Sequence, residues 1–173
     1  MFIQNHYGEV EYVRSNLDGR AYLVQRLPDA QEAADYLADI NKRLVRVVRH
    51  LYAKHSDNPD VERLYLNYNP ENVSEGNADS GYTSYSVNKG EKLILCIRQN
   101  DKNKTFVVKN VVMYVALHEL AHLMTKEVGH TDTFWNNFKF ILQEAIDIGE
   151  YKKVNFNDNP KDYCGIKISS SVI

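Results

Sequence analysis

An α+β fold is predicted by two kinds of segment in the chain: some alternate in the manner of strand hairpins, and longer ones carry apolar residues every three or four positions. The 173 residues are 43% hydrophobic and 25% charged, with eight glycines and four prolines. That is the composition of a soluble globular protein. The length suffices for one well-buried core and falls short of two ordinary ones, so residues 1–173 are expected to form a single domain.

Glu9 to Arg26, EVEYVRSNLDGRAYLVQR, places two Val- and Tyr-rich segments around an Asn/Asp/Gly cluster, which predicts a β-hairpin. A long amphipathic helix is predicted from about Asp29 to Ala53, because Ala33, Leu37, Ile40, Leu44, Val47, Val48 and Leu51 recur at helical steps. The polar stretch Asn69 to Gly81 reads as a long loop. A second hairpin is expected over Tyr82 to Arg98, where YTSYSV and KLILCIR flank NKGE. The pattern then turns helical near Lys109, and again from about Thr131 to Ile148, where Phe134, Phe138, Ile141, Leu142 and Ala145 share one side. The tail from Lys152 reads as extended.

A net charge of -2 and a pI near 6.3 argue against a chain whose main task is coating nucleic acid. One local exception is the basic strip Lys42, Arg43, Arg46, Arg49, His50 and Lys54. It reads as a solvated helix face or as a docking surface for nucleic acid. The start, MFIQNHYGEVEYV, lacks the basic end and apolar run of a signal peptide. The longest apolar run, Val111 to Leu117, is far below the roughly 20 residues that cross a bilayer. An intracellular chain that does not enter a membrane is therefore expected. Cys96 and Cys164 are too few and too far apart in sequence for a disulfide framework, and both read as thiols. The tripeptides at Asn72 and Asn103 match the glycosylation pattern, which is short enough to arise by chance.

The segment ALHELAHLMTKEVGH, Ala116 to His130, carries the chemistry. His118 and His122 are four residues apart, which puts both on one face of a helix within reach of one ion. Glu119 projects beside them, where it can hold a water without binding the ion. This HExxH arrangement takes zinc on its two histidines and uses the glutamate as general base. A catalytic zinc needs a third protein ligand. His130 is the candidate: the helix can run on for about one and a half turns until Gly129 reverses the chain. Glu127 and Asp132 compete for that role. Asp132 also reads as a cap or as a support for a histidine ring. A core helix that happens to carry histidines would show some of these features, but not the Gly break, the further His and the new helix opening with TFW together.

HELAHLMTKEVGHTDTFW resembles the HELAH…GH…FW signature of the WLM and SprT-like zinc metallopeptidases, a zincin group. With YTSYSVNKGEKLILCIR and YCGIKI, the stretch Tyr82 to Ile168 is similar to metallopeptidases encoded by large DNA viruses and some protists. The resemblance implies a zincin-like fold, a twisted mixed sheet packed on helices with an edge strand lining the cleft. It implies peptide-bond hydrolysis, which in better-known relatives is directed at proteins crosslinked to DNA. His118, His122 and His130 match the zinc ligands and Glu119 the catalytic carboxylate. His130 follows His122 by eight residues rather than the six of compact members, so the return loop must differ. The zinc and ubiquitin-pathway modules of some relatives do not occur in this chain.

The mechanism expected is attack on the peptide carbonyl by a zinc-activated water, with Glu119 moving the proton to the leaving nitrogen. Tyr163, Tyr85 and Tyr82 are the candidates to stabilise the oxyanion. Tyr82 to Val87 is the strand to which an extended peptide substrate would add. Cys164 is a candidate thiolate latch on the metal. Two other functions fit the same sequence: a zincin-fold binding module for nucleic acid or protein with little turnover, and a zinc amidohydrolase for a non-peptide substrate.

Overall fold

The computed structural model describes residues 9–76 and 84–173. Strands β1 (Val10–Arg14) and β2 (Ala21–Gln25) form the first expected hairpin, antiparallel with Val10 opposite Gln25. Its connection turns at Gly19, whose φ is +73°, and is moored to the next helix where Ser15 Oγ donates to Asp35 Oδ1 at 2.8 Å. Helix α1 (Ala30–His55) follows. All seven residues of its predicted apolar stripe are buried.

Helix α2 (Pro59–Asn67) has no counterpart among the expected elements. Only Val61 and Leu64 are buried from it, too few to write a periodic stripe. Its start is nonetheless a standard one: Asn58 caps the N–H of Asp60 and Pro59 occupies the first turn.

Strand β3 (Val73–Glu75) lies inside the stretch expected to be loop, and it pairs parallel with β5 (Lys92–Leu95). The expectation failed because three residues ending in a carboxylate do not read as a strand. Glu75 is buried because Arg98 Nε donates to it at 2.7 Å and Gln25 contributes both its backbone N–H and its side-chain amide. Arg98 also pairs with Asp29, at the start of α1. This network ties the first hairpin, the second sheet and α1 together at one point.

Strand β4 (Ser84–Val87) pairs antiparallel with β5, so the three-stranded sheet has the order β3-β5-β4 with mixed directions. The part of the expected second hairpin that includes Tyr82 lies outside the described residues. Helices α3 (Lys109–Met124) and α4 (Asp132–Asp147) come next, and β6 (Lys161–Tyr163) and β7 (Ile166–Ile168) form a third small hairpin in the tail. Buried residues of the four helices and of β2, β3, β5 and β6 join one core, and the described residues form an α+β fold of helices packed against three small sheets. Among the described residues no helix is long and apolar enough to cross a membrane.

The reading of the two cysteines is corrected. Cys96 and Cys164 are not thiols: they form a disulfide across a sequence separation of 68. Separation along the chain says nothing about proximity once β5 and the β6–β7 turn lie side by side. The Cys164 sulfur is therefore joined to Cys96 and does not reach a metal as a thiolate latch. The basic strip on α1, in turn, is partly neutralised. Arg43 pairs with Asp39 and Arg46 with Glu150, while His50 and His55 both meet Glu144. Lys42, Arg49 and Lys54 stay exposed, without an ion pair among the described residues.

Replacing Cys96 and Cys164 by Ala is expected to lower stability by about 2–4 kcal/mol, since the link closes a long loop in the unfolded chain. Urea denaturation of wild type and variant under non-reducing conditions measures it, and coincident midpoints would show that the link contributes nothing.

Candidate metal centre

Helix α3 is apolar around nearly its whole circumference, from Val111 and Val112 to Leu123 and Met124. A helix of that kind must be surrounded. The exception is a strip formed by Val115, His118 and His122, which stay half-buried. The spacing of three and four residues puts them on one line along the helix, and Glu119, beside that line, is only 7% exposed.

The return from α3 to α4 brings the third histidine to this strip. Ring nitrogens of His118, His122 and His130 all lie within 4.8 Å of one another, and they form the one such cluster of potential metal-binding side chains among the described residues. His122 Nε2 stands 3.2 Å from His130 Nε2. Two nitrogens on a tetrahedral zinc at about 2.0–2.1 Å sit roughly 3.3 Å apart, so this pair has the spacing of one edge of such a site. Glu127 and Asp132, the competing candidates, are exposed and stand outside the cluster. His118 Nδ1 lies 3.1 Å from Glu119 Oε2.

Phe134, completely buried, forms the floor beneath the three rings, with centroids 5.0, 4.2 and 4.8 Å from those of His118, His122 and His130. Phe138 meets His118, and Trp135 meets His130. The TFW segment thus supplies the apolar bed on which the histidines are oriented. Helix α4 is capped by Thr131, whose side chain accepts from Phe134 N, so it is Thr131 and not Asp132 that caps it.

The expected course of α3 is also corrected. The helix ends at Met124, with Thr125 in extended conformation (ψ 126°), well before Gly129. The Thr125 backbone N–H reaches Ala121 O and His122 O, and side chains add to it at the last carbonyls. Thr125 Oγ1 donates to Ala121 O at 2.7 Å, Arg63 to Met124 O at 2.7 Å, and Lys89 Nζ to His122 O at 3.0 Å. Asn137, from α4, donates to Thr125 Oγ1 and to Asp60. Sequence reasoning missed this set because Arg63, Lys89 and Asn137 come from three other segments. Gly129 does reverse the chain, with φ +91°.

A cleft of about 240 Å³ opens beside His118 and Glu119. Its apolar walls are Tyr114 and Val115 of α3 with Ile166 and Ile168 of the last hairpin, and Ser84 and Tyr163 complete it. The Tyr163 hydroxyl donates to Cys96 O at 2.7 Å and lies 2.5 Å from Ser84 Oγ. Burial raises its pKa, to which the nearby Glu119 adds. Tyr85 lines a different hollow, between the first hairpin and the outer face of the three-stranded sheet. Tyr82 lies outside the described residues.

Burial, reinforced by His118, His130 and Lys89, pushes the His122 pKa down from 6.5 to about 4. The fold therefore favours the neutral ring, the form a metal needs. The unfolded chain takes up this proton first, so stability rises with pH through this window. Thermal unfolding of chelator-treated protein is expected to lose midpoint as pH falls from 6.5 toward 4, and a His122→Gln variant to lose less. Equal slopes in the two proteins would assign the acid sensitivity to other groups.

The sequence profile of the WLM domain matches residues 17–171. The uncharacterized protein R325 of Acanthamoeba polyphaga mimivirus is 34% identical over 169 residues, 95% of this chain and 85% of that protein. The uncharacterized protein 042R of Invertebrate iridescent virus 3 is 40% identical over 68 residues, 39% of this chain and 42% of its own length. The crystal structure of Wss1 from Saccharomyces cerevisiae superposes with a TM-score of 0.54 at 21% identity, over 72% of this chain and 85% of that one; at that identity the likeness concerns the fold alone. With a match that runs through nearly all its elements, the chain belongs to the WLM domain family, a metallopeptidase family.

Proposed function

We propose that this chain is a zinc-dependent endopeptidase, with His118, His122 and His130 as metal ligands and Glu119 as general base. The observation that carries it is the convergence of three imidazoles beside a carboxylate at the mouth of a cleft. The donor set fits the ion: three imidazoles whose ring nitrogens lie within 4.8 Å of one another, one pair at 3.2 Å, suit zinc, and a three-ligand site leaves a position open. When bound, zinc supplies Lewis acidity to the carbonyl and lowers the pKa of a water to about 7.

The rest of the reaction belongs to the chain. Glu119, held in a largely dry wall of the site, takes the proton of the attacking water and delivers it to the leaving nitrogen. Phe134 beneath the rings limits their rotation, so the ligands meet the ion with little reorganisation. Among the described residues strand β4 is at an edge of its three-stranded sheet, and it places Ser84 in the cleft. An extended substrate adds to that edge by main-chain bonds, and one apolar side chain next to the scissile bond enters between Val115 and Ile166. Tyr163, which lines the cleft with His118 and Glu119, is the tyrosine proposed for the oxyanion, on condition that its hydroxyl leaves Cys96 O. The substrate reading is thus unfolded or extended protein, including protein attached to nucleic acid.

Glu119→Gln is expected to retain about one zinc per chain and to lose casein hydrolysis by several orders of magnitude, whereas His130→Ala loses the zinc itself. Mass spectrometry for metal and a gel-based cleavage assay read the two. Undiminished cleavage by Glu119→Gln would end this mechanism. Ile166, 51% exposed, can be shortened at little cost to stability. Ile166→Ala should lower kcat/KM about tenfold for peptides with Leu or Phe beside the cleaved bond and leave Ala-containing peptides unchanged. An equal loss on both sets would remove Ile166 from substrate selection.

A further inference from the structure

Lys89 sits in the turn between β4 and β5, far from the HExxH segment in sequence. Its ammonium donates to three backbone carbonyls at once: His122 O at 3.0 Å, Thr125 O at 2.6 Å and Glu127 O at 2.8 Å. An ammonium has three N–H donors, so all are used. The first acceptor belongs to a proposed ligand, and the other two lie on the path to the next.

The turn that delivers Lys89 is a built one. Asn88 and Lys89 have φ of +50° and +53°, the left-handed region that residues with a side chain rarely adopt. Gly90 follows with φ +124°, and a Cβ there would meet Asn67 O at 2.2 Å and the Leu123 side chain at 3.2 Å. The turn is seated between the end of α2 and the end of α3, with no room to shift. Asn88 Nδ2 donates to Glu91 Oε2 at 2.6 Å and braces it from the solvent side. The backbone is held in a costly conformation that aims one side chain at the helix end.

We infer that Lys89 is a positioning residue of the metal centre: by gathering the carbonyls of His122, Thr125 and Glu127, it holds the end of α3 and the return loop where His130 meets His118 and His122. Its effect on metal rests on the zinc reading above, and its effect on the loop does not. Residues 126–130 are exposed, and the His130 ring, on Phe134 and Trp135, is the contact that ties their far end to apolar side chains. A cation at a helix C-terminus is favoured by the partial negative charge there. Arg63 is directed elsewhere, its Nη1 donating to Met124 O and Asp60 Oδ1. An arginine at position 89 would keep the charge, but its planar donors do not converge on three acceptors as an ammonium does.

The test compares full-length wild type, Lys89→Met, Lys89→Arg and, as a control on the same hairpin, Lys92→Met. Zinc affinity is measured by competition with a chromophoric chelator, and hydrogen exchange is followed on the metal-free proteins. Lys89→Met is expected to bind zinc on the order of ten- to a hundredfold more weakly and to exchange faster over residues 123–130, with α1 unchanged. Lys89→Arg recovers part of both effects, and Lys92→Met matches wild type. Zinc affinity equal to wild type in Lys89→Met overturns the inference, as does faster exchange spread evenly through the core, which marks a merely structural residue. If wild type takes up no zinc, the metal reading falls; the exchange comparison then decides alone whether Lys89 orders the loop.

Discussion

A helix that is apolar on almost every side can exist in water only if it is enclosed, and α3 is enclosed by α2, α4, the three-stranded sheet and α1. The enclosure sets the geometry of everything near it. With Leu117, Leu120, Ala121 and Met124 fully buried, the helix has no freedom to roll. The strip of Val115, His118 and His122 therefore faces outward by exclusion, and two imidazoles are presented at a fixed separation. The helix supplies rigidity, and the hydrophobic effect supplies the helix.

Such a helix still has to stop. Its last carbonyls lie inside the protein, where an unmade hydrogen bond costs about 1–3 kcal/mol. The usual remedy, a glycine directly after the last turn, is not present at Thr125. Thr125, through its backbone N–H and its hydroxyl, does that work together with an arginine and a lysine from two other segments. Their arrival lets the chain leave the helix half a turn after His122 and still reach His130, eight residues on. The same economy appears at Glu75, a buried carboxylate made tolerable by Arg98 and by the Gln25 amide groups.

What was legible in the sequence follows from this division. Periodic patterns report burial of one face, so α1, α4 and the first hairpin could be read, as could the alignment of His118 with His122. The Gly129-His130 step signalled a return of the chain. Elements that owe their place to a partner elsewhere were not legible. Helix α2 buries two side chains, and β3 is a strand because β5 lies beside it. Lys89 reads in sequence as an ordinary turn lysine, because nothing in NKGE tells that three carbonyls await it. The disulfide was hidden for the same reason: the nearness of Cys96 and Cys164 is a product of the fold.

That disulfide has a topological meaning. His118, Glu119, His122 and His130 all belong to the stretch between Cys96 and Cys164, as do the whole of α3 and α4. The proposed reactive centre is thus carried on a covalent ring closed through two sulfurs, and the exposed segment 126–130 is part of its circumference. A single backbone cut in that segment opens the ring without dividing the molecule, so both halves stay attached. In an oxidising setting the chain can be nicked at its most exposed approach to the histidines and remain one covalent molecule; in a reducing one the same nick separates His122 from His130.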